Sequence, residues 1–206
     1  MIAPEMLRER IEAVVLGASA GGVEALSQIL PALPPTFRPA LLIVLHLPRE
    51  RPSLLAQIYA TRCSLPVREA DDKEPVEPGK VYFAPPDYHM LVEKSRHIAL
   101  STDEPLHFSR PAIDVLFESA ADVYGNRLLG VILTGANEDG AAGLHAVHRA
   151  GGVTVVQQPD SAQVPLMVVS ALKRGPADFV LSLEEIAELL VSLAGGAVGA
   201  SRKLDE

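Results

Sequence analysis

Ser19 lies in the segment Gly-Ala-Ser-Ala-Gly-Gly, residues 17–22, which forms a G-x-S-x-G arrangement. An apolar segment typical of a strand, 13–16, precedes it, and a helical pattern, 23–30, follows at once. A sharp turn from strand to helix presents a serine hydroxyl beyond the sheet edge, and glycine is needed where a side chain would clash with close-packed backbone. Free N–H groups at the helix start can stabilise an oxyanion at the same place. The segment therefore suits a serine nucleophile.

A Gly-rich turn between a strand and a helix can also hold the phosphates of a dinucleotide. The glycines at 17, 21 and 22 do not form G-x-G-x-x-G, and the next predicted strand, 40–45, ends in His46 rather than in an acidic residue for a ribose hydroxyl. No Gly-Lys-Ser/Thr follows, which excludes a P-loop. From the motif alone, a nucleophile, a phosphate-binding loop and a structural turn all remain open.

Two other predicted strands end in polar residues of complementary type. His46 directly follows the apolar run 40–45, and the polar turn 134–140 follows another apolar run and contains Asp139. Because ligands of open parallel sheets bind outside the carboxyl ends of the strands, these residues and Ser19 belong at one edge. A hydroxyl, an imidazole and a carboxylate are the parts of a catalytic triad, in which the base takes the serine proton and the acid orients the base.

Each of these residues also has a structural alternative. His46, at a strand boundary, can hydrogen-bond a loop carbonyl. Asp139 can be the N-cap of the helix predicted over 140–150, and Glu138 or Asn137 can be the relevant polar group in its place. The order Ser…His…Asp along the chain differs from the Ser…Asp…His order of α/β-hydrolases, so the pattern does not predict that fold.

The remaining histidines do not form a pattern typical of a metal site. His145 and His148 lie three residues apart on one predicted helix, but no third ligand with suitable spacing accompanies them. A solvated helix face is the favoured interpretation. His89, His97 and His107 fall in or near a predicted hairpin and are expected on the surface. We therefore predict no metal.

Arg110 precedes Pro111 at the start of the helix predicted over 113–124, where proline is typical of the first turn. An arginine at this position can bind an acidic substrate or form a surface ion pair. The sequence leaves both roles open.

The bulk composition indicates one domain with one core, since the chain has 206 residues and 48% of them are hydrophobic. The formal net charge is −8, and no Lys/Arg cluster is interleaved with aromatic residues, which argues against nucleic-acid binding. No apolar run approaches a membrane span, and the N-terminal residues lack the layout of a signal peptide. The single cysteine, Cys63, cannot form an internal disulfide and is expected to be a structural or incidental thiol in a reducing compartment. We therefore predict a cytoplasmic location.

The fold class follows from the alternation of apolar runs and helical patterns. Short continuous apolar runs are typical of buried parallel strands, and helices between them imply right-handed crossovers. This predicts an α/β, doubly wound, mainly parallel sheet with helices on both faces. The predicted strands are 13–16, 40–45, 128–133, 153–156 and 179–181, and the predicted helices are 23–30, 52–62, 113–124, 140–150, 165–173 and 183–193.

One stretch departs from this alternation. Three apolar segments, 81–84, 89–93 and 97–101, are separated by turn residues, and they predict an antiparallel hairpin near residues 79–101 appended to the sheet. We predict a single catalytic domain over 12–193, with short tails at 1–11 and 194–206.

Five ordered motifs resemble one protein family over nearly the whole chain. They are Gly-Ala-Ser-Ala-Gly-Gly (17–22), His-Leu-Pro (46–48), Val-Tyr-Phe-Ala-Pro-Pro-Asp-Tyr-His-Met (81–90), Arg-Pro-Ala-Ile-Asp-Val-Leu-Phe (110–117) and Leu-Thr-Gly-Ala-Asn-Glu-Asp-Gly-Ala-Ala-Gly (133–143). In this order they resemble the catalytic domain of chemotaxis protein-glutamate methylesterases, the CheB family.

The resemblance implies a serine carboxylesterase that hydrolyses glutamate γ-methyl esters on the cytoplasmic helices of methyl-accepting chemoreceptors, releases methanol and also deamidates receptor glutamines. It assigns the triad to Ser19, His46 and Asp139 and implies no cofactor. Backbone N–H groups near Ala20 and Ala136 are candidate oxyanion donors. Asn137 and Arg110 are expected to line the site.

The chain also departs from the family pattern. Ala20 stands where the family often has threonine, Ala136 and Asn137 where it often has Met-Gly, and Ser109 where it often has histidine. These changes motivate an alternative function, a non-catalytic module that binds receptor helices or a signalling partner through the same cleft. A nucleotide-binding reductase is a weaker alternative.

The usual family member carries an N-terminal receiver domain, and about eleven residues before the first predicted strand are too few for one. We therefore expect activity that is constitutive or controlled by a separate receiver protein in trans.

Overall fold

The computed structural model describes residues 4–47 and 53–194. Its strands are β1 Ala13–Ala18, β2 Ala40–Leu45, β3 Val67–Glu69, β4 Val81–Phe83, β5 His89–Val92, β6 Ile98–Ser101, β7 Leu128–Ile132, β8 Val153–Gln157 and β9 Phe179–Leu181. Seven of these run parallel in one sheet in the order β3-β4-β2-β1-β7-β8-β9, and the two antiparallel strands β5 and β6 form a separate hairpin.

The central strands are buried on both faces, which is why they read as continuous apolar runs rather than as alternating patterns. Every residue of β1, β2, β7 and β8 is buried. Side chains of one strand alternate between two cores, so that Val14 and Leu16 face one core while Ala13 and Val15 face the other. The sheet is therefore the middle of three layers.

In the part of the chain that the structure describes, seven α-helices form the two outer layers. They are α1 Pro4–Arg10, α2 Gly22–Ile29, α3 Leu55–Ala60, α4 Ile113–Tyr124, α5 Ala141–Arg149, α6 Leu166–Arg174 and α7 Leu183–Ser192. The first core holds buried residues of α1, α2, α3 and α7, and the second holds those of α4, α5 and α6 together with the hairpin. The predicted doubly wound α/β fold with helices on both faces is confirmed.

The hairpin region differs in one respect from the prediction. The sequence predicts 81–84 as part of the antiparallel unit, but Val81–Phe83 is a strand of the main sheet and pairs in parallel with β2 and with β3. Its three residues are all buried, as is typical of an inner parallel strand. The antiparallel hairpin consists of β5 and β6 alone and packs on α4. The partner strand β3 was not predicted, because its three half-buried or exposed residues carry no apolar pattern.

The N-terminal stretch also contains structure. Within the predicted tail 1–11, α1 contributes Leu7, only 1% exposed, to the first core. At the other end Ala194 forms a bridge with Phe37, whereas residues 195–206 of the predicted tail lie outside the described residues. The helix predicted over 52–62 is observed as α3, and residues 48–52 also lie outside the described part. Within residues 4–47 and 53–194, no helix has the length and apolarity that a bilayer crossing requires.

Candidate active site

Ser19 and His46 follow neighbouring strands at the same edge of the sheet. Ala18, the last residue of β1, lies opposite Leu45, the last residue of β2, so the next two residues occupy adjacent positions. The backbone N–H of His46 donates to the Ala18 carbonyl at 3.1 Å, which extends the pairing by one residue. Because adjacent strands lie about 4.8 Å apart, the serine and the imidazole begin from neighbouring backbone positions.

Asp139 hydrogen-bonds to the same imidazole. Its Oδ2 lies 2.8 Å from Nε2 of His46, and the side chains are 0% and 12% exposed respectively. The carboxylate can only accept, so Nε2 carries the proton in this pair and Nδ1 is the ring nitrogen that can accept a further proton. The structure thus joins two of the three residues that the sequence singled out, across 93 positions of the chain.

The carboxylate of Asp139 also binds the beginning of α4. Its Oδ2 accepts from the backbone N–H of Ile113 at 2.7 Å, and its Oδ1 accepts from the N–H of Asp114 at 3.0 Å. The N-cap residue of α4, Ala112, has no side-chain cap of its own. Free N–H groups and the positive end of the helix dipole stabilise a negative charge at this position. The aspartate therefore caps α4, whereas the sequence had offered it as a cap for the helix over 140–150, whose N-cap is Gly140.

Thr134 holds the turn that carries Ser19. It follows Leu133, the residue directly after β7. The N–H of Ser19 donates to the Thr134 carbonyl at 3.0 Å, and the Thr134 hydroxyl donates to the Ala20 carbonyl at 2.8 Å. Gln157, fully buried at the end of β8, accepts from the Thr134 N–H at 2.9 Å. Neither Thr134 nor Gln157 was predicted as a site residue, although both are polar residues at strand ends, the feature that pointed to Ser19 and His46.

Two glycines make the turn geometrically possible. Gly21 has φ +82°, a left-handed conformation that glycine adopts without strain, and it serves as the N-cap of α2. Gly17 lies so close to α4 that a Cβ there would overlap the side chain of Ile113. The glycine spacing of the motif therefore brings the end of β1 against the beginning of α4, where the carboxylate of Asp139 is bound.

The other predicted site residues lie around this centre. Ala20 and Ala136 are exposed at the rim, on the serine turn and on the loop after β7. Asn137 accepts from the Asp139 N–H at 3.3 Å through its side-chain oxygen, and its amide nitrogen lies 3.5 Å from the Ser109 hydroxyl. Asn137 thus contacts the backbone of the acidic residue rather than replacing it.

Arg110 forms an ion pair, one of the two roles that the sequence left open. Its Nε and Nη2 lie 3.1 and 2.8 Å from Oδ1 of Asp87, and its Nη1 donates to the carbonyls of Thr102 and Asp103 at 2.8 and 3.0 Å. The guanidinium of Arg110 therefore connects the segment after β6 to the turn before β5.

A second buried carboxylate lies beside Asp139. Asp114 is 5% exposed, accepts from the Gly143 N–H at 2.6 Å and lies 3.5 Å from Nε2 of His107. Burial raises the pKa of this carboxyl, and the nearby charge of Asp139 raises it further. Asp114 was not predicted as a site residue, because one acidic residue in the first turn of an apolar helix is an ordinary surface pattern.

Ligand atoms of His107, Asp114 and Asp139 lie within 4.8 Å of one another. Asp139, however, already accepts three hydrogen bonds from His46, Ile113 and Asp114. His107, Asp114 and Asp139 therefore fit a cluster of ion pairs and hydrogen bonds.

The expectation that His89 lies on the surface is wrong. It is 2% exposed, accepts from the Ala112 N–H at 3.1 Å through Nδ1 and contacts the Glu104 carbonyl at 3.1 Å through Nε2. His89 thus connects the hairpin to the start of α4. Each ring nitrogen contacts a backbone group, which offsets the cost of burying the polar ring. His145 is half-buried against Gly175 rather than on an open helix face.

Comparisons with known proteins identify the family of the chain. Residues 14–190 match the CheB methylesterase family. The chain is 43% identical over 186 residues to a protein-glutamate methylesterase/protein-glutamine glutaminase of Bordetella parapertussis, covering 88% of this chain and 53% of that protein. A Leptospira interrogans protein named for the same two activities is 47% identical over 182 residues, covering 88% of this chain and 94% of its own length.

A solved structure is also similar. The crystal structure of the Thermotoga maritima CheB methylesterase catalytic domain superposes with a TM-score of 0.83 at 34% identity, covering 89% of this chain and 99% of that one. Together with the matches in sequence, this likeness shows that the chain belongs to the CheB methylesterase family.

Proposed function

We propose that this chain hydrolyses γ-methyl esters of glutamate side chains on the cytoplasmic helices of chemoreceptors and deamidates receptor glutamines. Family membership and the two activities named for its relatives support the substrate class. The observation that carries the chemistry is the buried Asp139–His46 hydrogen bond beside the turn of Ser19. The reaction would take place in the cytoplasm, where those helices lie, with residues 12–193 as the catalytic domain.

The first half of the reaction forms an acyl-enzyme. Oγ of Ser19 attacks the ester carbonyl carbon and gives its proton to Nδ1 of His46, the ring nitrogen that does not face Asp139. The ionised carboxylate holds Nε2–H and stabilises the imidazolium that forms. When the tetrahedral intermediate collapses, the carbon–oxygen bond to the methyl group's oxygen breaks and His46 returns the proton to that oxygen. Methanol leaves.

The second half regenerates the serine. A water molecule gives one proton to His46 and attacks the acyl carbon, and the bond to Oγ of Ser19 then breaks as the imidazolium protonates that oxygen. The product is a glutamate side chain. A glutamine follows the same steps, with ammonia as the first leaving group.

The oxyanion must be held by backbone N–H groups that are not already engaged. The N–H of Ser19 donates to Thr134, so the next group along the turn is the N–H of Ala20. The residue after a nucleophile commonly supplies this donor, and the start of α2 adds its positive dipole end. Ala136, on the facing loop, is the second donor that we propose. Neither donor requires a side chain, so alanine can serve at both positions.

Replacement of the nucleophile tests the proposal. Ser19→Ala should lower methanol release from receptor-containing membranes methylated beforehand by at least about 10³-fold, since loss of a triad member costs several orders of magnitude. Ser27→Ala is the matched control, because Ser27 lies on α2 and its hydroxyl bonds to Val23 and Tyr59, outside the candidate site. A serine-reactive phosphonate should label the wild-type protein at Ser19. Unchanged release by the Ser19→Ala protein would refute the assignment and favour a non-catalytic binding module.

A further inference from the structure

Thr134 lies where three segments meet: the turn that carries Ser19, the loop after β7 and the segment before α6. Its hydroxyl donates to the Ala20 carbonyl at 2.8 Å and accepts from the Val164 N–H at 2.9 Å, whereas the Val164 carbonyl is more distant, at 3.3 Å. A hydroxyl has one proton and two acceptor lone pairs, so it can make both of the shorter bonds at once. Because Thr134 is only 1% exposed, these bonds are shielded from water.

The orientation of Thr134 is fixed by Gln157. The N–H of Thr134 donates to Oε1 of Gln157 at 2.9 Å, and Nε2 of Gln157 donates to the Ser161 carbonyl at 3.0 Å. The glutamine side chain is fully buried, so its amide is held between these two partners. Threonine is also β-branched, which restricts rotation about its first side-chain torsion. The hydroxyl of Thr134 is therefore held in one direction.

The two proposed oxyanion donors belong to peptide groups whose carbonyls are already bound. In a planar trans peptide the C=O and the following N–H point in opposite directions, so a bound carbonyl fixes the direction of the N–H. The Ser19 carbonyl accepts from the first N–H of α2 at 2.8 Å, which fixes the N–H of Ala20. The Gly135 carbonyl accepts from the Met167 N–H at 3.0 Å, which fixes the N–H of Ala136.

The distance between these two donors depends on Thr134. Its carbonyl accepts from the Ser19 N–H at 3.0 Å, its hydroxyl binds the Ala20 carbonyl, and its backbone continues through Gly135 to Ala136. Donors stabilise an oxyanion when they lie about 2.7–3.1 Å from it. A shift of one loop against the other by about 1 Å can therefore cost about 10²-fold in rate.

We propose that Thr134 is a positioning residue for the reaction: its buried hydroxyl sets the spacing between the N–H groups of Ala20 and Ala136 that hold the oxyanion. This inference rests on the proposed function. The ester oxygen gains its negative charge only as the tetrahedral intermediate forms, so correct spacing of the donors stabilises that state more than the bound substrate. The hydroxyl should therefore affect kcat more than KM.

Removal of the hydroxyl tests the proposal. Thr134→Val should lower kcat for methanol release from methylated receptor about 10- to 100-fold with KM within about twofold, since complete loss of one oxyanion donor costs about 10²- to 10³-fold. Thr134→Ser keeps the hydroxyl, and its kcat should stay within about fivefold of wild type. The serine-reactive phosphonate should label Ser19 of the Thr134→Val protein more slowly by a similar factor, because its phosphoryl oxygen takes the position of the oxyanion. Mass spectrometry measures this labelling without the receptor.

Thr154→Val is the matched control. The hydroxyl of this fully buried threonine donates to Oδ2 of Asp178 at 2.8 Å and accepts from the Asp178 N–H at 3.0 Å, so its removal also breaks two hydrogen bonds. Thr154 lies near the start of β8, and Gln157 lies at the other end. The kcat of this control should stay within about twofold of wild type. Circular dichroism checks folding, and Thr134→Ala, which places no methyl group against the Ala20 carbonyl, takes the place of Thr134→Val if valine prevents folding.

Three results would overturn the inference. They are a kcat for Thr134→Val equal to that of Thr154→Val, a loss confined to KM, and equal losses of kcat in Thr134→Ser and Thr134→Val. Wild-type protein that is labelled at Ser19 but releases no methanol from the receptor would refute the proposed substrate, and the labelling rates of the variants would then decide the positioning role by themselves.

Discussion

Asp139→Asn should damage both stability and activity, because one carboxylate serves the active site and the fold. The buried carboxylate accepts from Nε2 of His46 at 2.8 Å, from the Ile113 N–H at 2.7 Å and from the Asp114 N–H at 3.0 Å. An asparagine amide offers one acceptor oxygen and two N–H donors. In either orientation the amide nitrogen faces at least one backbone N–H of α4, so a buried donor loses its partner.

The expected loss of stability follows from these contacts. An unsatisfied buried donor costs about 1–3 kcal/mol, and removal of the negative charge at a helix N-terminus costs up to about 1–2 kcal/mol more. We therefore expect the free energy of unfolding to fall by about 2–4 kcal/mol. Activity should fall by about 10³- to 10⁴-fold, because a neutral amide does not stabilise the imidazolium of His46.

His46→Ala is the matched comparison. It removes the proposed base but leaves both α4 donors bound to Asp139, so activity should be lost with a change in stability of only about 1 kcal/mol. Urea unfolding followed by circular dichroism measures stability, and methanol release from methylated receptor measures activity. If Asp139→Asn proved as stable as His46→Ala, the capping of α4 would be refuted. Full activity of the Asp139→Asn protein would refute its role in the triad.

Two further predictions concern the residues around this centre. Gly17→Ala should lower the free energy of unfolding by about 1–3 kcal/mol, because the new methyl group overlaps Ile113. In urea unfolding, the double variant with Ile113→Ala should be at least about 1 kcal/mol more stable than the sum of the two single losses predicts. Strictly additive losses would contradict the contact. The free energy of unfolding of the Asp114→Asn protein should rise relative to that of the wild type as the pH rises above 3.8, the ordinary pKa of aspartic acid. Burial raises the pKa of Asp114 in the folded state, so the unfolded chain releases this proton first and wild-type stability falls with rising pH until the raised pKa is passed. Urea unfolding at several pH values checks this, and a wild type that gains on the variant with rising pH would contradict it.

Much of the fold could be predicted from the sequence, because the inner strands are buried on both faces. The inner strand Ala40–Leu45 contains only apolar residues, and its observed bounds agree with the prediction. The edge strand Phe179–Leu181 is only partly buried, and it was predicted because all three of its residues are apolar. Two strands were not predicted correctly, for different reasons. Val67–Glu69 is a short edge strand with half-buried or exposed side chains. Val81–Phe83 resembles the hairpin strands in composition, and only its pairing partners distinguish it from them.

The residue types at the carboxyl ends of the strands could be identified from the sequence, since apolar runs and glycines mark where Ser19 and His46 leave the sheet. The sequence did not determine the partners of the polar groups. Long-range packing brings the carboxylate of Asp139 to the start of α4, whose N–H groups come 25 and 26 positions earlier in the chain, and buries Asp114 and His89 at the same helix start. A buried polar group must be hydrogen-bonded, and its partner is whichever group packing brings within reach, so the pairing depends on contacts between distant segments rather than on local sequence.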